Sequence, residues 1–186
     1  MNPAINGRFH IAIWESKILI KVEGFAAQNN SLFFCEFVEK MLQEGFKDFI
    51  IDLSCCKSMD STFMGVLVSV IRPEPKGNGN EDSTSVTIIN SNAYHQKLLD
   101  SLGISQVLKI KKTAVTLPDI PMKTIEEKRY DSQARLKIIK EAHQALLAFP
   151  SDYQQVFANF VHLLDEELQQ EERQERQSTV PKLPSP

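Results

Sequence analysis

The chain has 186 residues, of which 42% are apolar and 24% are charged, and its net charge is -3. These values are typical of one globular domain with an extension, and the length is too short for two full domains. Without a concentrated basic face the chain is not expected to bind nucleic acid. The amino terminus lacks the pattern of a signal peptide, and no apolar run approaches the roughly 20 residues of a membrane helix. The sequence therefore predicts a cytoplasmic protein that does not insert into a membrane.

The three cysteines, Cys35, Cys55 and Cys56, are odd in number and do not have the spacing of metal ligands. They are expected to be reduced thiols of a cytosolic protein. The alternative is a redox sensor at Cys55 or Cys56.

Two alternating apolar runs open the chain, Phe9–Trp14 and Lys17–Glu23. Only Glu15 and Ser16 separate them, which predicts a tight β-hairpin. His10 lies off the apolar face of the first run and is expected to be solvated.

A strand, a helix and a second strand follow from this hairpin. The loop Gly24–Asn30 precedes a helix that Ser31 can cap, and the run Phe49–Leu53 is apolar enough for a strand buried on both faces. Such a βαβ unit is normally parallel and right-handed, and function gathers beyond the carboxyl ends of its strands. The loop Gly24–Asn30 should therefore lie near Asp60, Ser61 and Thr62.

The segment after the central strand is the candidate functional region. A polar loop, Ser54–Ser58, precedes an apolar run in which Asp60 or Ser61 is a good helix N-cap. A hydroxyl at a helix start lies where free N–H groups and the positive end of the helix dipole can hold a phosphate, bound or attached. The alternative is that Ser61 and Thr62 only cap the helix.

The remaining elements complete a small α/β domain. Pro73–Ser85 is a loop by composition, Val86–Asn90 is a strand, Asn92 can cap a short helix, and Val107–Ile110 is an edge strand.

Residues 116–130 contain two prolines and are predicted to be a linker with little regular structure. Residues 131–177 carry two amphipathic segments parted by Pro150, which predict a helical hairpin, and residues 178–186 are expected to be disordered. The apolar stripe of the hairpin either packs on the domain or makes a homodimer. His143 and His162 lie one on each helix, and a metal shared by the two histidines is an alternative. The sequence offers no other ligands for it, so no metal site is predicted.

The residues Asp52-Leu53-Ser54, followed by Met59-Asp60-Ser61-Thr62-Phe63-Met64-Gly65-Val66-Leu67, resemble the signature of STAS domains. These are the domains of sulfate transporters and anti-sigma-factor antagonists. The resemblance covers residues 8–115. It implies an α/β fold, with helices packed on a mixed sheet of four to five strands, to which this chain adds a C-terminal helical extension.

The resemblance also implies a role for the helix start. In bacterial antagonists a GHKL-type anti-sigma-factor kinase phosphorylates the serine after the aspartate, which is Ser61 here, and a PP2C-type phosphatase is the expected counterpart. Thr62 is the second choice for the phosphate. The expected partner-binding residues are Asp60, Ser61, Thr62 and Phe63, with Gln28 and Asn29 from the preceding loop. Phe63 stands where many antagonists have Gly, and at an exposed helix start it would offer a partner an apolar contact or occlude it.

Other functions fit the sequence less well. Neither a Ser-His-Asp nor a Cys-His arrangement is visible, so an enzyme is not expected, and no cofactor is predicted. The main alternative is a STAS accessory subunit of an ABC-type transporter, which docks without phosphorylation. Nucleotide binding at the same helix start is the weakest alternative, because the chain has no Gly-rich phosphate loop.

Overall fold

The computed structural model describes residues 7–70 and 84–178. Its strands are β1 (Arg8–Trp14), β2 (Lys17–Ala26), β3 (Asp48–Met59), β4 (Ser85–Ile89), β5 (Lys109–Ile110) and β6 (Lys123–Thr124). Its α-helices are α1 (Gln28–Gln43), α2 (Ser61–Ser69), α3 (Ala93–Ser101), α4 (Ser132–Leu146) and α5 (Gln154–Ser178), with a short 3₁₀ helix at Ile104–Gln106. None of the helices in these ranges is both long and apolar enough to cross a membrane.

The strands form one mixed sheet in the order β5-β4-β3-β2-β1-β6. Strands β2 to β5 run parallel to one another, and β1 is antiparallel to both β2 and β6. The predicted α/β fold with a mixed sheet, an internal strand at Phe49–Leu53 and a C-terminal helical extension is confirmed. Within the described ranges the sheet has six strands where four or five were predicted, because Lys123–Thr124 of the predicted linker pairs with β1.

The helices stack outward from one face of the sheet. Alternate residues of the strands share a core with apolar residues of α1 and α2. Helix α4 packs against α1 and α2, and α5 packs against α4. The C-terminal hairpin of α4 and α5 is thus joined to the domain through α4, which is one of the two arrangements that its apolar stripe predicted.

Residues 111–122, here called the strap, connect the two outermost strands of the sheet. They cross on the face opposite α1 and α2, where Val115 exchanges two hydrogen bonds with the Asn90 side chain, at 2.8 and 3.0 Å. The Asn90 amide also donates to Asp52 Oδ1, at 2.9 Å, and Asp52 is only 2% exposed. A buried carboxylate requires such donors, so this network fixes the strap to the sheet.

The predicted polar loop Ser54–Ser58 is wrong, since these residues continue β3. They pair with the end of β2, with Glu23 opposite Cys55 and Phe25 opposite Ser58, across two register shifts. The neighbouring strand β4 has already ended opposite Asp52. This part of β3 therefore has β2 on one side only, which explains its polar sequence.

The start of α1 also differs from the prediction. Ala27, not Ser31, is the N-cap residue, and Gln28–Asn30 form the first turn rather than a loop. Asn30 Oδ1 accepts from the Ala27 N–H at 2.8 Å, and the Ser31 hydroxyl donates to the Ala27 carbonyl at 2.9 Å. The reciprocal bond from Asn30 allows the helix to begin earlier than Ser31 predicted.

Two further predictions agree with the structure. The turn of the β1–β2 hairpin is formed by Glu15 and Ser16, both at positive φ, and Asn92 caps α3 by accepting from the His95 N–H. Most of the predicted loop Pro73–Ser85 and nearly all of the predicted tail 178–186 lie outside the described residues.

Candidate functional site

One carboxylate joins the amino ends of two helices. Asp60 Oδ1 accepts from the Phe63 N–H at 2.9 Å and caps α2, and Asp60 Oδ2 accepts from the Gln28 N–H at 2.7 Å, in the first turn of α1. The Asp60 N–H donates to the Ala26 carbonyl at 3.0 Å. Of the two predicted N-cap residues of α2, Asp60 and Ser61, Asp60 is the N-cap. The start of α2 lies beside Gln28, as the sequence predicts.

Ser61 is the first residue of α2, and its hydroxyl bonds to the C-terminal extension. Ser61 Oγ lies 2.9 Å from Nε2 of His143, and Nδ1 of His143 lies 2.7 Å from the Ile139 carbonyl oxygen. A carbonyl oxygen can only accept, so Nδ1 carries the proton, and in the neutral imidazole Nε2 is an acceptor. The Ser61 hydroxyl therefore donates to His143.

His143 is held neutral by its surroundings. It is 4% exposed, and it lies 5.0 and 4.9 Å, between ring centroids, from the edge-on rings of Phe157 and Phe160. Burial lowers the pKa of His143, while the Ile139 carbonyl and the charge of Asp60 act in the opposite direction and do not cancel the effect. At neutral pH the imidazole is therefore an acceptor for Ser61 and not a cation.

Gly65 lets α4 come this close. A Cβ atom at position 65 would lie 2.3 Å from the carbonyl oxygen of Ala142 and 2.8 Å from its side chain. No side chain fits between the two helices at this point, so their backbones touch. Ala142 precedes His143, and this contact sets the distance from the imidazole to Ser61.

The two residues after Ser61 point into the protein. Thr62 is 3% exposed and Phe63 is fully buried. The Phe63 ring stacks on Phe9, with centroids 5.7 Å apart, and contacts Phe34 at 5.0 Å. The expectation of an exposed Phe63 is wrong, because position 63 lies about 200° round the helix from Ser61 and faces the core. Neither Thr62 nor Phe63 is available to a partner in this conformation.

The predicted residues of α1 remain at the surface. Gln28 and Asn29 are exposed beside Asp60. The rings of Phe25 and Tyr94 are 38% and 50% exposed, and both residues adjoin Ser58 at the end of β3. The Tyr94 hydroxyl lies 3.0 Å from Ser58 Oγ on the extended part of β3. Ser61 is half-buried, and exposed polar and aromatic side chains lie on the neighbouring ends of α1, β2 and β3.

The structure bears differently on the predicted alternatives for cysteine and metal chemistry: a redox sensor at Cys55 stays a prediction, whereas the buried thiols and the two histidines gain no support. Burial raises the pKa of the Cys35 thiol to about 12 and that of the Cys56 thiol to about 11, which keeps both protonated. Cys55 is exposed. His162 lies on the outside of α5 beside Glu166, away from His143, and no group of three metal-ligating side chains occurs in residues 7–70 and 84–178.

His143 is a further candidate for the functional site. The sequence did not predict its hydrogen bond to Ser61. Its spacing from Ile139 and Leu146 predicts a buried position on α4, and a buried imidazole requires hydrogen-bond partners. A Ser-His pair also occurs in hydrolases, where a carboxylate orients the imidazole. Here that position is taken by the uncharged carbonyl of Ile139.

No protein-family model matches the chain, and no curated protein matches it. A solved structure from Thermotoga maritima, named as a candidate anti-sigma factor antagonist, is 19% identical with a TM-score of 0.47, covering 56% of this chain and 86% of that one. An anti-sigma factor antagonist from Mycobacterium paratuberculosis is 12% identical with a TM-score of 0.47, covering 61% and 92%.

The unphosphorylated form of the anti-sigma factor antagonist SpoIIAA is 10% identical with a TM-score of 0.41, covering 57% of this chain and 89% of that one. These neighbours are of the type that the sequence motif resembles. At such identities and TM-scores the likeness does not by itself assign a family or a function to this chain.

Proposed function

We propose that the protein is a regulatory protein-binding module of the anti-sigma factor antagonist type, in which phosphorylation of Ser61 controls partner binding. The observation that carries the proposal is the helix start at Asp60 and Ser61. Asp60 holds two helix starts in place, and Ser61, the next residue, has its only described side-chain hydrogen bond to a group outside the predicted STAS region.

The position suits a reversible modification of charge. A phosphate adds close to two negative charges and three acceptor oxygens, and the amino end of a helix tolerates them. The sheet and the aromatic core do not depend on the Ser61 hydroxyl, so the fold can persist while the binding surface changes. A GHKL-type kinase would add the phosphate and a PP2C-type phosphatase would remove it.

The proposed partner surface consists of Ser61 with Asp60 and the exposed Gln28 and Asn29 beside it. A charge placed on a surface that must lose water costs binding free energy unless a basic group of the partner pairs with it. Phosphorylated protein is therefore expected to bind its partner at least tenfold more weakly, and Ser61→Ala is expected to bind constitutively.

The test is to locate the phosphate on protein purified from its native cells. The tryptic peptide that begins at Ser58 carries four hydroxyl residues, Ser58, Ser61, Thr62 and Ser69, which fragmentation in the mass spectrometer separates. Phosphate on Ser61, absent from Ser61→Ala, supports the proposal. Phosphate on Thr62 or Ser69, or a peptide that is never phosphorylated in any growth condition, contradicts it and favours an unphosphorylated accessory subunit.

A further inference from the structure

The C-terminal hairpin covers the residue that is proposed to be modified. The α4 backbone touches α2 at Gly65 and Ala142, and His143 accepts the Ser61 hydroxyl proton. Every residue from Thr62 to Val68 is buried. Ser61 itself is half-buried, but its oxygen is bonded to His143, so this bond has to break before a kinase can transfer a phosphoryl group to that oxygen.

A phosphate on Ser61 removes the hydroxyl proton on which this contact depends. The side of Oγ that a phosphoryl group would extend from now faces Nε2, 2.9 Å away. Nε2 is an acceptor there, because Nδ1 has the proton and donates to Ile139. Phosphate oxygens are acceptors too, and Asp60 adds a carboxylate next to them in the chain. The imidazole would have to gain a proton, which its burial opposes, or leave with α4.

We propose that the α4–α5 hairpin is a built-in cover of the Ser61 hydroxyl, while Gln28 and Asn29 stay exposed, and that docking of the hairpin and phosphorylation of Ser61 exclude each other. The inference rests on the proposed function for the identity of the modification. By linkage the effect is reciprocal at equilibrium: a phosphate on Ser61 disfavours docked α4, and docked α4 disfavours the phosphorylated state by the same factor.

The hairpin has the construction of a separable unit. It follows the strap and the two-residue strand β6. Among the described residues it is tied to the domain by the contact of α4 with α1 and α2, by the close approach of Pro150 to Gly103, and by bonds such as those of Lys128 and Tyr130 with Glu36. The opposing interpretation is a permanent piece of the core, since Ile138, Leu146 and Phe157 are buried in this contact. The two interpretations differ in what a phosphate at position 61 does to α4.

The first test incorporates phosphoserine at position 61 during synthesis of the full chain, so that no kinase is needed. Amide hydrogen exchange is then measured in α4 and in β3. We expect exchange in α4 to become at least tenfold faster while Phe49–Leu53 of β3 keeps its protection. Phosphoserine at the exposed Ser101 of α3 is the matched control and should leave α4 unchanged. Unchanged protection of α4 with phosphoserine at 61 would overturn the proposal.

The second test uses a His143 variant in which phosphoserine at position 61 is expected to slow hydrogen exchange in α4 instead of accelerating it. In His143→Arg a buried guanidinium replaces a neutral imidazole, with Asp60 the one charge that the described interactions of His143 include, so exchange in α4 should be faster than in the original chain. Phosphoserine at 61 then offers bidentate pairing to the introduced guanidinium and should slow exchange in α4. If phosphoserine accelerates exchange equally in the original chain and in the His143→Arg variant, charge pairing at this position is not the cause and the proposal fails.

These measurements separate the cover from the proposed function. They contain neither kinase nor partner, so release of α4 by phosphoserine stands even if no phosphate is found on Ser61 in cells. Conversely, phosphate on Ser61 in cells together with unchanged α4 protection would support the proposed function and refute the cover.

Discussion

Asp60 is a residue on which two helices depend. Its two oxygens accept from Phe63 N–H in α2 and from Gln28 N–H in α1. Loss of one cap typically costs about 0.5–2 kcal/mol. We expect Asp60→Ala to lower the free energy of unfolding by about 2–3 kcal/mol, measured by urea denaturation.

The matched control is Asp131, which caps α4 alone by accepting from the Ala134 N–H. Asp131→Ala should cost about 1 kcal/mol, roughly half of the Asp60 effect. Equal costs for the two substitutions would mean that one of the Asp60 bonds contributes little to stability.

His143 makes stability depend on pH. Burial lowers its pKa in the folded protein below the ordinary 6.5, so on acidification the unfolded chain takes up the proton first. Its contribution is therefore complete above pH 6.5 and is lost as the pH falls toward the folded pKa. Burial lowers the pKa of His95 as well, so His95 also contributes to the loss of stability on acidification.

The share of His143 is measured with His143→Gln, which keeps a neutral acceptor for Ser61. Urea denaturation at several pH values between about 7.5 and 5.5 should show a shallower loss of stability for this variant than for the original chain. Parallel pH profiles would mean that His143 titrates alike in the folded and unfolded states.

At the scale of residues, the features that could be predicted from the sequence are those that depend on neighbouring positions in the chain. Asp60 is recognisable as an N-cap because capping depends on the next three residues. The bond between Ser61 and His143 spans 82 positions and depends on how α4 packs, so only the burial of His143 could be predicted from its spacing. The sequence around Phe63 predicts a helix start but does not show which side of α2 faces the core, so the burial of Phe63 could not be predicted.

At the scale of elements, the contact of α2 with α4 depends on the absence of a side chain at position 65. Alanine at position 65 should improve the helix propensity of α2 by about 0.8–1.0 kcal/mol. Its Cβ would nevertheless lie 2.3 Å from the Ala142 carbonyl oxygen and must push α4 away. We expect Gly65→Ala to accelerate hydrogen exchange in α4 at least tenfold, with β3 unaffected.

Ser69→Ala is the control on the same helix, since Ser69 is exposed and bonds only to the Val66 carbonyl among the described contacts. It should leave exchange in α4 within about twofold, as surface substitutions are usually close to neutral. A Gly65→Ala chain with an equally protected α4 would show that α2 itself can shift to admit the methyl group.

The elements that the sequence misplaced owe their position to neighbours in space. Ser54–Ser58 are polar, yet they are strand because the end of β2 offers a backbone to pair with. The pair Lys123–Thr124 is too short to give a pattern, and it becomes β6 only because β1 has a free edge. Long apolar runs such as Phe49–Leu53 were predictable because their burial hardly depends on which neighbour covers them.

For the whole molecule, the hairpin decides how much apolar surface is exposed. A chain ending at Glu127 keeps β6 but lacks α4 and α5, and it uncovers the outer side of α2. Exposed apolar patches of this kind promote association. In sedimentation experiments we expect this shortened chain to form dimers or larger species and to melt at a lower temperature than the full chain. A chain ending at Lys112, which also lacks β6, should be less stable still.

Sedimentation of the full chain, compared with the two shortened chains, tests the predicted homodimer. Val156 and Leu163 are 60% and 59% exposed on the outside of α5, so a dimer through the C-terminal helices remains a prediction. A monomeric Glu127 chain with an unchanged melting temperature would show that the hairpin has no role in stability or association.

The covering contact has a consequence for the newly made chain. Ser61 and His143 are 82 positions apart, and the sheet strands β1 to β5 are all synthesised before α4 begins. At 5–20 residues per second, a ribosome needs roughly 4–16 s to add those 82 residues. During that interval the Ser61 hydroxyl has left the peptidyl-transferase centre and its cover does not yet exist. Each molecule thus passes once through a state on the ribosome in which α4 does not yet cover the Ser61 hydroxyl.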